Sequence, residues 1–220
     1  GHGQTASPES AHRYAIENAA QDVVAIVEQL GFDRFSLLGY SMGGRLALFL
    51  AHRYPESITA LVLESASPGI ADAEERGQRR QWDYALAESI ERDGVTEFVQ
   101  RWEQLPLFAS QAAVPLQKRV DLHEQRLQNS ALGLANSLRG MGTGSQPSMW
   151  DSLPAIAIPT LLLCGDLDEK YVRINKQMAG AMPESALEIV NDAGHNIHLE
   201  RPDRFYALVS TFLQRSSRPS

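Results

Sequence analysis

The sequence predicts an α/β protein with a mostly parallel β-sheet and helices on both faces. Short apolar runs typical of buried strands alternate with segments of helical pattern along much of the chain. One such run, "FSLLG", leads directly into the glycine-rich turn "GYSMGG" and then into a helix-forming stretch. Strand, sharp turn and helix in this order are typical of α/β sheets, so both observations favour this fold class.

The predicted elements follow in order along the chain. The first helix carries apolar residues at alternating gaps of four and three, and Gly31 closes it. Its apolar positions are Ile16, Ala20, Val23, Val27 and Leu30. After the strand "FSLLG", the helix "MGGRLALFLAHRYP" ends at Pro55. Three later apolar runs predict buried strands: "ITALVLES", "IPTLLLCGD" and "ALEIVND".

The segment from residue 71 to about residue 150 differs from the rest of the chain. It is charged, helical in pattern and poor in strand signals, beginning with "ADAEERGQRRQWDYALAESIERDG". We predict a helical cap inserted over the sheet rather than a second independent domain. Residues 1–70 and 151–220 then form the core that holds the sheet.

Composition and charge exclude some classes of partner. The net charge of −7 and the pI near 5.4 argue against nucleic acid or an anionic membrane as a general partner. The sequence contains no run of about 18 apolar residues, so it predicts no transmembrane span. The single cysteine, Cys164, lies in an apolar run and is expected to be a buried, inert thiol, which favours a reducing, cytoplasmic location.

Histidine spacing gives no sign of a metal site. His12, His52 and His123 lie in polar helical contexts and are expected at the surface. No two histidines pair with carboxylates at a ligand spacing, so we expect no metal.

The motif Gly39-Tyr40-Ser41-Met42-Gly43 has the form of a nucleophile elbow. A serine hydroxyl needs a positioned base to take its proton, and that base needs an acid to fix its tautomer. Asp168 follows the strand in "LLLCGD", and His195 follows the last strand in "NDAGHNIHLERP". The order Ser41, Asp168, His195 is that of the α/β-hydrolase fold.

Two positions in this triad have a competitor nearby. Asp166 competes with Asp168, but the residue three positions past Gly165 is where this fold usually presents its acid. His198 competes with His195, but a histidine directly after Gly194 in the loop after a strand is the better base. We expect Asp166 to be a solvated or capping carboxylate and His198 to lie over the start of the next helix.

Arg45 follows Ser41 by four residues, so on a helix it lies one turn along the same face. An arginine in an otherwise apolar helix needs an anionic partner when it is buried. A bound carboxylate is one candidate, and an ordinary solvated arginine is the alternative.

Several stretches together resemble the 2-succinyl-6-hydroxy-2,4-cyclohexadiene-1-carboxylate synthases of menaquinone and phylloquinone biosynthesis. They are "GYSMGGRLAL", "LVLESASPGI", "EERGQRRQWD", "WEQLPLFASQ", "NSLRGMGTGSQPSMWD" and "AGHNIHLERP". The resemblance covers essentially the whole chain. It implies a lyase on an α/β-hydrolase scaffold that needs no metal or organic cofactor. The triad removes a ring proton, and pyruvate is eliminated from a substrate with three carboxylates.

The resemblance also implies substrate contacts. The matching motifs carry over Arg45, Arg76, Trp102 and Arg126, and less strongly Tyr40 and Lys170. Alternatives remain open for two of them: Trp102 could pack between helices, and Arg76, with Arg79 and Arg80, could balance Glu74 and Glu75. We expect Arg139 to lie in a glycine-rich loop, "SLRGMGTG", whose backbone amides could also favour an anion, and we assign it no specific role.

The family's oxyanion hole uses the amide after the nucleophile, here that of Met42, and a second amide from a loop after an earlier strand. The chain opens with "GHGQT", which resembles the stretch just after the fourth strand of the family. The first four strands and the second amide are therefore expected to lie outside this sequence, leaving an open apolar strand edge prone to association. We expect low activity without them, and the oligomeric state is left open.

Two other functions compete with the lyase. A serine carboxylesterase or C–C hydrolase would use the same triad, but an uncharged ester has no use for several fixed cations. A non-catalytic binding module on the same fold is the other alternative, and an intact triad order argues against it.

Overall fold

Four parallel strands form one sheet, and they follow in chain order across it. They are β1 (Phe35–Tyr40), β2 (Ile58–Glu64), β3 (Thr160–Gly165) and β4 (Ser185–Val190). All four overlap the apolar runs that predicted them, although β1 extends to Tyr40 and β4 begins one residue early, at Ser185. The fold comes from a computed structural model, which describes residues 1–216.

Helices connect and flank the strands. The α-helices are α1 (Ile16–Gln29), α2 (Met42–Arg53), α3 (Ala73–Asp93), α4 (Val95–Glu103), α5 (Leu116–Leu127), α6 (Ala131–Met141), α7 (Glu169–Ala181), α8 (Ile197–Glu200) and α9 (Pro202–Ser216). Short 3-10 helices cover Ala11–Tyr14, Pro55–Ser57, Pro106–Ala113 and Trp150–Ala155. Among the helices of residues 1–216, none is both long and apolar enough to cross a membrane.

Both faces of the two central strands are covered. Consecutive strand residues point to opposite faces, and Leu61, Val62 and Leu63 of β2 are each 0% exposed. Val62 belongs to a buried cluster against which the apolar face of α9 packs. Helices α2 and α7 pack against neighbouring strands of the same sheet. The α/β fold with a covered parallel sheet is thus confirmed.

The edge formed by β1 is much less protected. Within the described sheet, β1 pairs with β2 alone, and Leu38 is 44% exposed. Leu30 and Phe32, from the chain just before β1, are 66% and 59% exposed. The predicted apolar stripe of α1 is therefore buried only at its start, where Ile16 and Ala20 are packed. Its last position, Leu30, remains accessible to water.

The chain divides into two compact units. The first contains Gly1–Asp22, Gly69–Pro106 and Val114–Ser148. In this helical unit α3 packs on α6, and the Asn136 amide donates to the carbonyls of Pro8 and Glu9 at 3.1 and 3.0 Å. These bonds tie the opening of the chain to α6.

The second unit holds the sheet. It contains Val23–Pro68, Leu107–Ala113 and the chain from Met149 onward. The segment Leu107–Ala113 lies inside the stretch assigned to the cap by sequence, yet it groups with the strands. The division into a core and a cap at residues 71 and 150 stays a prediction.

We predict that the protein associates with a second copy through the β1 edge as its concentration rises. Leu38→Lys places a charge on the exposed face of the edge strand and should lower the apparent mass measured by sedimentation velocity. Leu116→Lys is the matched control, because Leu116 is 68% exposed on α5 in the helical unit. Equal association of both variants would mean that the β1 edge is not the contact.

Candidate active site

Three predicted residues lie just beyond the carboxyl ends of their strands. Ser41 directly follows β1, Asp168 comes three residues after β3, and His195 comes five residues after β4. Because all strands are parallel, their carboxyl ends lie at one edge of the sheet. This topology places the three side chains at the same edge.

The three side chains form one hydrogen-bonded chain. The Nε2 of His195 lies 2.9 Å from the Oγ of Ser41, and its Nδ1 lies 2.7 Å from the Oδ2 of Asp168. His195 is 1% exposed and Asp168 is 8% exposed. A serine, a buried imidazole and a buried carboxylate in this arrangement can move a proton off the serine hydroxyl.

The two competing residues have other partners. Asp166 is exposed, and its Oδ1 accepts a long hydrogen bond of 3.4 Å from the amide of Ala193. The Nδ1 of His198 lies 2.7 Å from the Oε2 of Glu64, and His198 is in α8, as expected. The geometry therefore favours Asp168 and His195 over their neighbours.

The turn that carries Ser41 is strained and tightly packed. Ser41 has φ of 49°, a left-handed conformation that is costly for a residue with a side chain. Its amide donates to the carbonyl of Glu64 at 2.9 Å. A Cβ on Gly39 would overlap the backbone of Gly43, and one on Gly44 would overlap the Cβ of Ala66. The close approach thus needs Gly39 and Gly44.

Helix α2 begins at Met42, directly after the serine. The first amides of a helix carry partial positive charge, which favours an anion at this end. The predicted oxyanion donor, the Met42 amide, therefore lies at the amino end of α2. Arg45 is on the same helix, its amide donates to the carbonyl of Ser41 at 3.0 Å, and it is 8% exposed.

Aromatic rings surround the imidazole of His195. The ring centroids of Tyr40 and Tyr171 lie 5.4 and 4.6 Å from that of His195, and Phe108 lies 6.3 Å away. Tyr40 was predicted from the motif, whereas Tyr171 and Phe108 were not. The sequence did contain a signal for Tyr171, because it follows Asp168 by three residues, the spacing of a helix cap. In the structure its amide donates to the Oδ1 of Asp168 at 3.3 Å.

Residues 1–202 match the α/β hydrolase fold family. A Bacillus subtilis (strain 168) protein, provisionally named 2-succinyl-6-hydroxy-2,4-cyclohexadiene-1-carboxylate synthase, is 46% identical over 213 residues. The match covers 97% of this chain and 78% of that protein. The chain belongs to this synthase family.

Two further relatives agree with membership of the synthase family. The 2-succinyl-6-hydroxy-2,4-cyclohexadiene-1-carboxylate synthase of Serratia proteamaculans (strain 568) is 33% identical, over 90% of this chain and 75% of its own. The solved structure of MenH from S. aureus is 37% identical with a TM-score of 0.95, covering 99% of this chain and 82% of its own.

Other solved structures share the fold alone. An esterase from Exiguobacterium antarcticum has a TM-score of 0.82 but only 22% identity, over 97% of this chain and 78% of its own. The fold is thus common to enzymes named for different reactions.

The predicted substrate contacts of the synthase family lie in both units. Tyr40, Arg45 and Lys170 are in the sheet unit, where the exposed Lys170 ammonium lies 5.9 Å from the ring centroid of Tyr171. Arg76, Trp102 and Arg126 are in the helical unit. Their role as substrate contacts stays a prediction.

Each of the three residues in the helical unit has a defined neighbour. The guanidinium of Arg76 donates to the carbonyls of Ile70 and Ala71 at 2.8 and 3.1 Å. The ring of Trp102 lies 5.4 Å from that of Phe98. Trp102 and Phe98 line a small apolar cavity together with Trp82, Leu86 and Leu105.

Arg126 pairs with Glu103 at 2.7 Å, and His123 lies 2.9 Å from the same carboxylate. Burial alone would raise the pKa of Glu103, but the hydrogen bonds from Arg126 and His123 outweigh it and lower that pKa. Glu103 therefore keeps its charge and fixes the guanidinium of Arg126 on the surface of α4 and α5.

Other basic residues singled out by sequence form structural pairs. Arg139 lies in the last turn of α6 rather than in a loop, and it binds both carboxylate oxygens of Glu91 at 2.6 Å. Arg79 binds the buried Asp83 at 2.8 Å.

Across residues 1–216, no cluster of histidine, cysteine and carboxylate groups is arranged to hold a metal. Burial raises the pKa of the Cys164 thiol to about 12, so the thiol is inert at neutral pH.

The two consecutive glycines of α2 should respond differently to alanine. We expect Gly44→Ala to lower the free energy of unfolding by about 1–3 kcal/mol, because its Cβ would overlap Ala66. Gly43→Ala is the control, since a Cβ there meets nothing within 4 Å and alanine favours a helix by about 0.5–1 kcal/mol. Urea unfolding of both variants measures the difference, and equal losses would contradict the predicted packing.

Proposed function

We propose that this chain eliminates pyruvate from 2-succinyl-5-enolpyruvyl-6-hydroxy-3-cyclohexene-1-carboxylate. The product is 2-succinyl-6-hydroxy-2,4-cyclohexadiene-1-carboxylate, an intermediate of menaquinone biosynthesis. Membership of the synthase family, at 46% identity to one relative, is the observation that carries the proposal. The hydrogen-bonded Ser41, His195 and Asp168 supply a base for it.

The names of substrate and product define the bonds that change. The succinyl ketone at ring carbon 2 acidifies the hydrogen on that carbon. Loss of this proton forms a double bond between carbons 2 and 3 and moves the existing one to carbons 4 and 5. The C–O bond at carbon 5 breaks, and the released enolpyruvate takes a proton on its methylene carbon to become pyruvate. Atoms and charge balance without a cofactor or a metal.

Within this reaction Ser41 is the base that removes the ring proton. His195 takes the hydroxyl proton through Nε2, 2.9 Å away, and Asp168 holds the other ring nitrogen at 2.7 Å. The carboxylate stabilises the imidazolium that forms and fixes its orientation. No acyl-enzyme is required, because the oxygen of Ser41 accepts a proton rather than attacking a carbonyl.

Negative charge develops on the succinyl ketone oxygen as the ring proton leaves. The Met42 amide at the amino end of α2 is the group that we assign to this oxyanion. Preorganised amides lower the energy of such a charge because they need not reorient during the reaction.

The substrate carries three carboxylates, and fixed arginines suit them. A guanidinium binds a carboxylate with two parallel hydrogen bonds, which an ammonium cannot do. We assign Arg45, one helical turn after Ser41, to a carboxylate near the reacting ring. Arg76, Arg126, Lys170, Tyr40 and Trp102 are the further contacts in this proposal. We also propose that the enzyme acts in the cytoplasm, where the lone thiol stays reduced.

Pyruvate release tests the proposal directly. We expect Ser41→Ala to lower kcat by about 10²–10⁴-fold, the range for loss of general acid–base catalysis. Arg45→Ala should raise KM by about tenfold or more, and Arg45→Lys should recover only part of the loss. His52→Ala is the control, because His52 is an exposed residue later on the same helix. The rates are compared in the 220-residue chain and in a version extended at its N-terminus.

The opposite result is equally defined. Hydrolysis of simple aryl esters that depends on Ser41, with no pyruvate formed by either version, would replace the lyase with a carboxylesterase. Turnover that survives Ser41→Ala would mean that the triad is not the base.

A further inference from the structure

The loop that carries His195 is held by two buried glutamates outside the triad. Glu200 is 9% exposed, and its Oε2 accepts the amide of Gly194 at 2.7 Å. Its Oε1 accepts the amide of Asn196 at 3.3 Å. One carboxylate thus binds the two backbone amides on either side of His195.

The second glutamate, Glu64, is 0% exposed at the carboxyl end of β2. Its Oε1 accepts the amide of His198 at 3.0 Å, and its Oε2 lies 2.7 Å from the Nδ1 of the same residue. The backbone carbonyl of Glu64 accepts the amide of Ser41 at 2.9 Å. This one residue therefore contacts both the serine turn and the helix that follows His195.

Holding a loop with buried carboxylates costs free energy. Removing a charged group from water costs free energy, and apolar residues of similar size often stabilise a fold as well or better. The two carboxylates, of Glu200 and Glu64, are here called the clamp. They fix geometry, because each carboxylate oxygen orients a particular amide. The amides that they bind are those of Gly194 and Asn196 in the loop and of His198 in α8, every second residue along the chain.

We propose that Glu200 and Glu64 are positioning residues that keep the His195 imidazole in line with Ser41. Glu200 sets the backbone that carries the imidazole. Glu64 sets the distance between this loop and the serine turn. Tyr40 lies against both histidine rings, 5.4 Å from that of His195 and 5.0 Å from that of His198, so a shift of either ring displaces the residue beside the nucleophile. The inference rests on the role proposed for His195 as the acceptor of the serine proton.

The isosteric variants Glu200→Gln and Glu64→Gln test the clamp, because each keeps the side-chain size and replaces an acceptor oxygen with a donor. We expect kcat for pyruvate release to fall about tenfold or more while KM stays within about twofold, because alignment is lost and the arginines are unchanged. The far-downfield proton NMR signal of the His195 to Asp168 hydrogen bond should shift or broaden in both variants.

Ile58→Ala is the matched control. Ile58 is 2% exposed at the amino end of β2, the opposite end from the site, so its loss destabilises the sheet without touching the loop. Unchanged kcat and an unchanged NMR signal in the two glutamine variants, at the stability of this control, would overturn the proposal. If Glu64→Gln does not fold, His198→Ala removes one bond to the same carboxylate from a ring that is 43% exposed.

The NMR readout separates this inference from the proposed reaction. The hydrogen bond between His195 and Asp168 exists without substrate, so its signal reports on alignment even if the wild-type protein releases no pyruvate. A shifted or broadened signal in the variants then supports the positioning role of the two glutamates. Absence of pyruvate release by the wild-type protein counts only against the lyase.

Discussion

The hydrogen bond between His195 and Ser41 is the contact on which the candidate site depends, and it joins residues 154 positions apart in sequence. Only the sheet brings them together, because parallel strands end at one edge and each side chain follows the end of a strand. The register between β1 and β2, with Tyr40 opposite Glu64, therefore sets the geometry of the candidate site as well as the stability of the sheet. A slip of one residue would move the serine turn by about 3.3 Å along the strand axis and so change its distance from His195.

Much of this arrangement could be read from sequence. Buried strands appear as continuous apolar runs, and a sharp turn needs glycine at the points of closest approach, so the strands and Ser41 were identifiable. Asp168 and His195 were identifiable because each follows a strand. Glu200 and Glu64 were not, because a glutamate near the end of an element looks like a solvated charge until its burial is known. Leu30 is exposed although it ends the apolar stripe, because helical periodicity predicts an apolar face but not whether another element covers it.

The scaffold and the chemistry are separable in this family. A serine, an imidazole and a carboxylate can activate a nucleophile or form a base, and the geometry among the three is the same in both cases. The substrate decides between them. A carbonyl within reach of Ser41 favours attack, whereas an acidified ring hydrogen held by arginine contacts favours proton transfer. In the proposed reaction, Arg45 on α2 therefore distinguishes the lyase from an esterase, which the triad alone does not do.

The segment Leu107–Ala113 limits how the molecule can be recombined with its relatives. The chain leaves the sheet unit after Pro68 and returns to it for the seven residues Leu107–Ala113. It then leaves again and returns at Met149. Phe108 packs near the imidazole of His195, and a Cβ on Gly194 would overlap the hydroxyl of Ser110. Grafting residues 69–148 of another family member as one continuous block would thus replace side chains that pack beside His195 and Gly194. Exchange of the helical unit between relatives therefore has to replace Gly1–Asp22, Gly69–Pro106 and Val114–Ser148 separately and leave these seven residues in place.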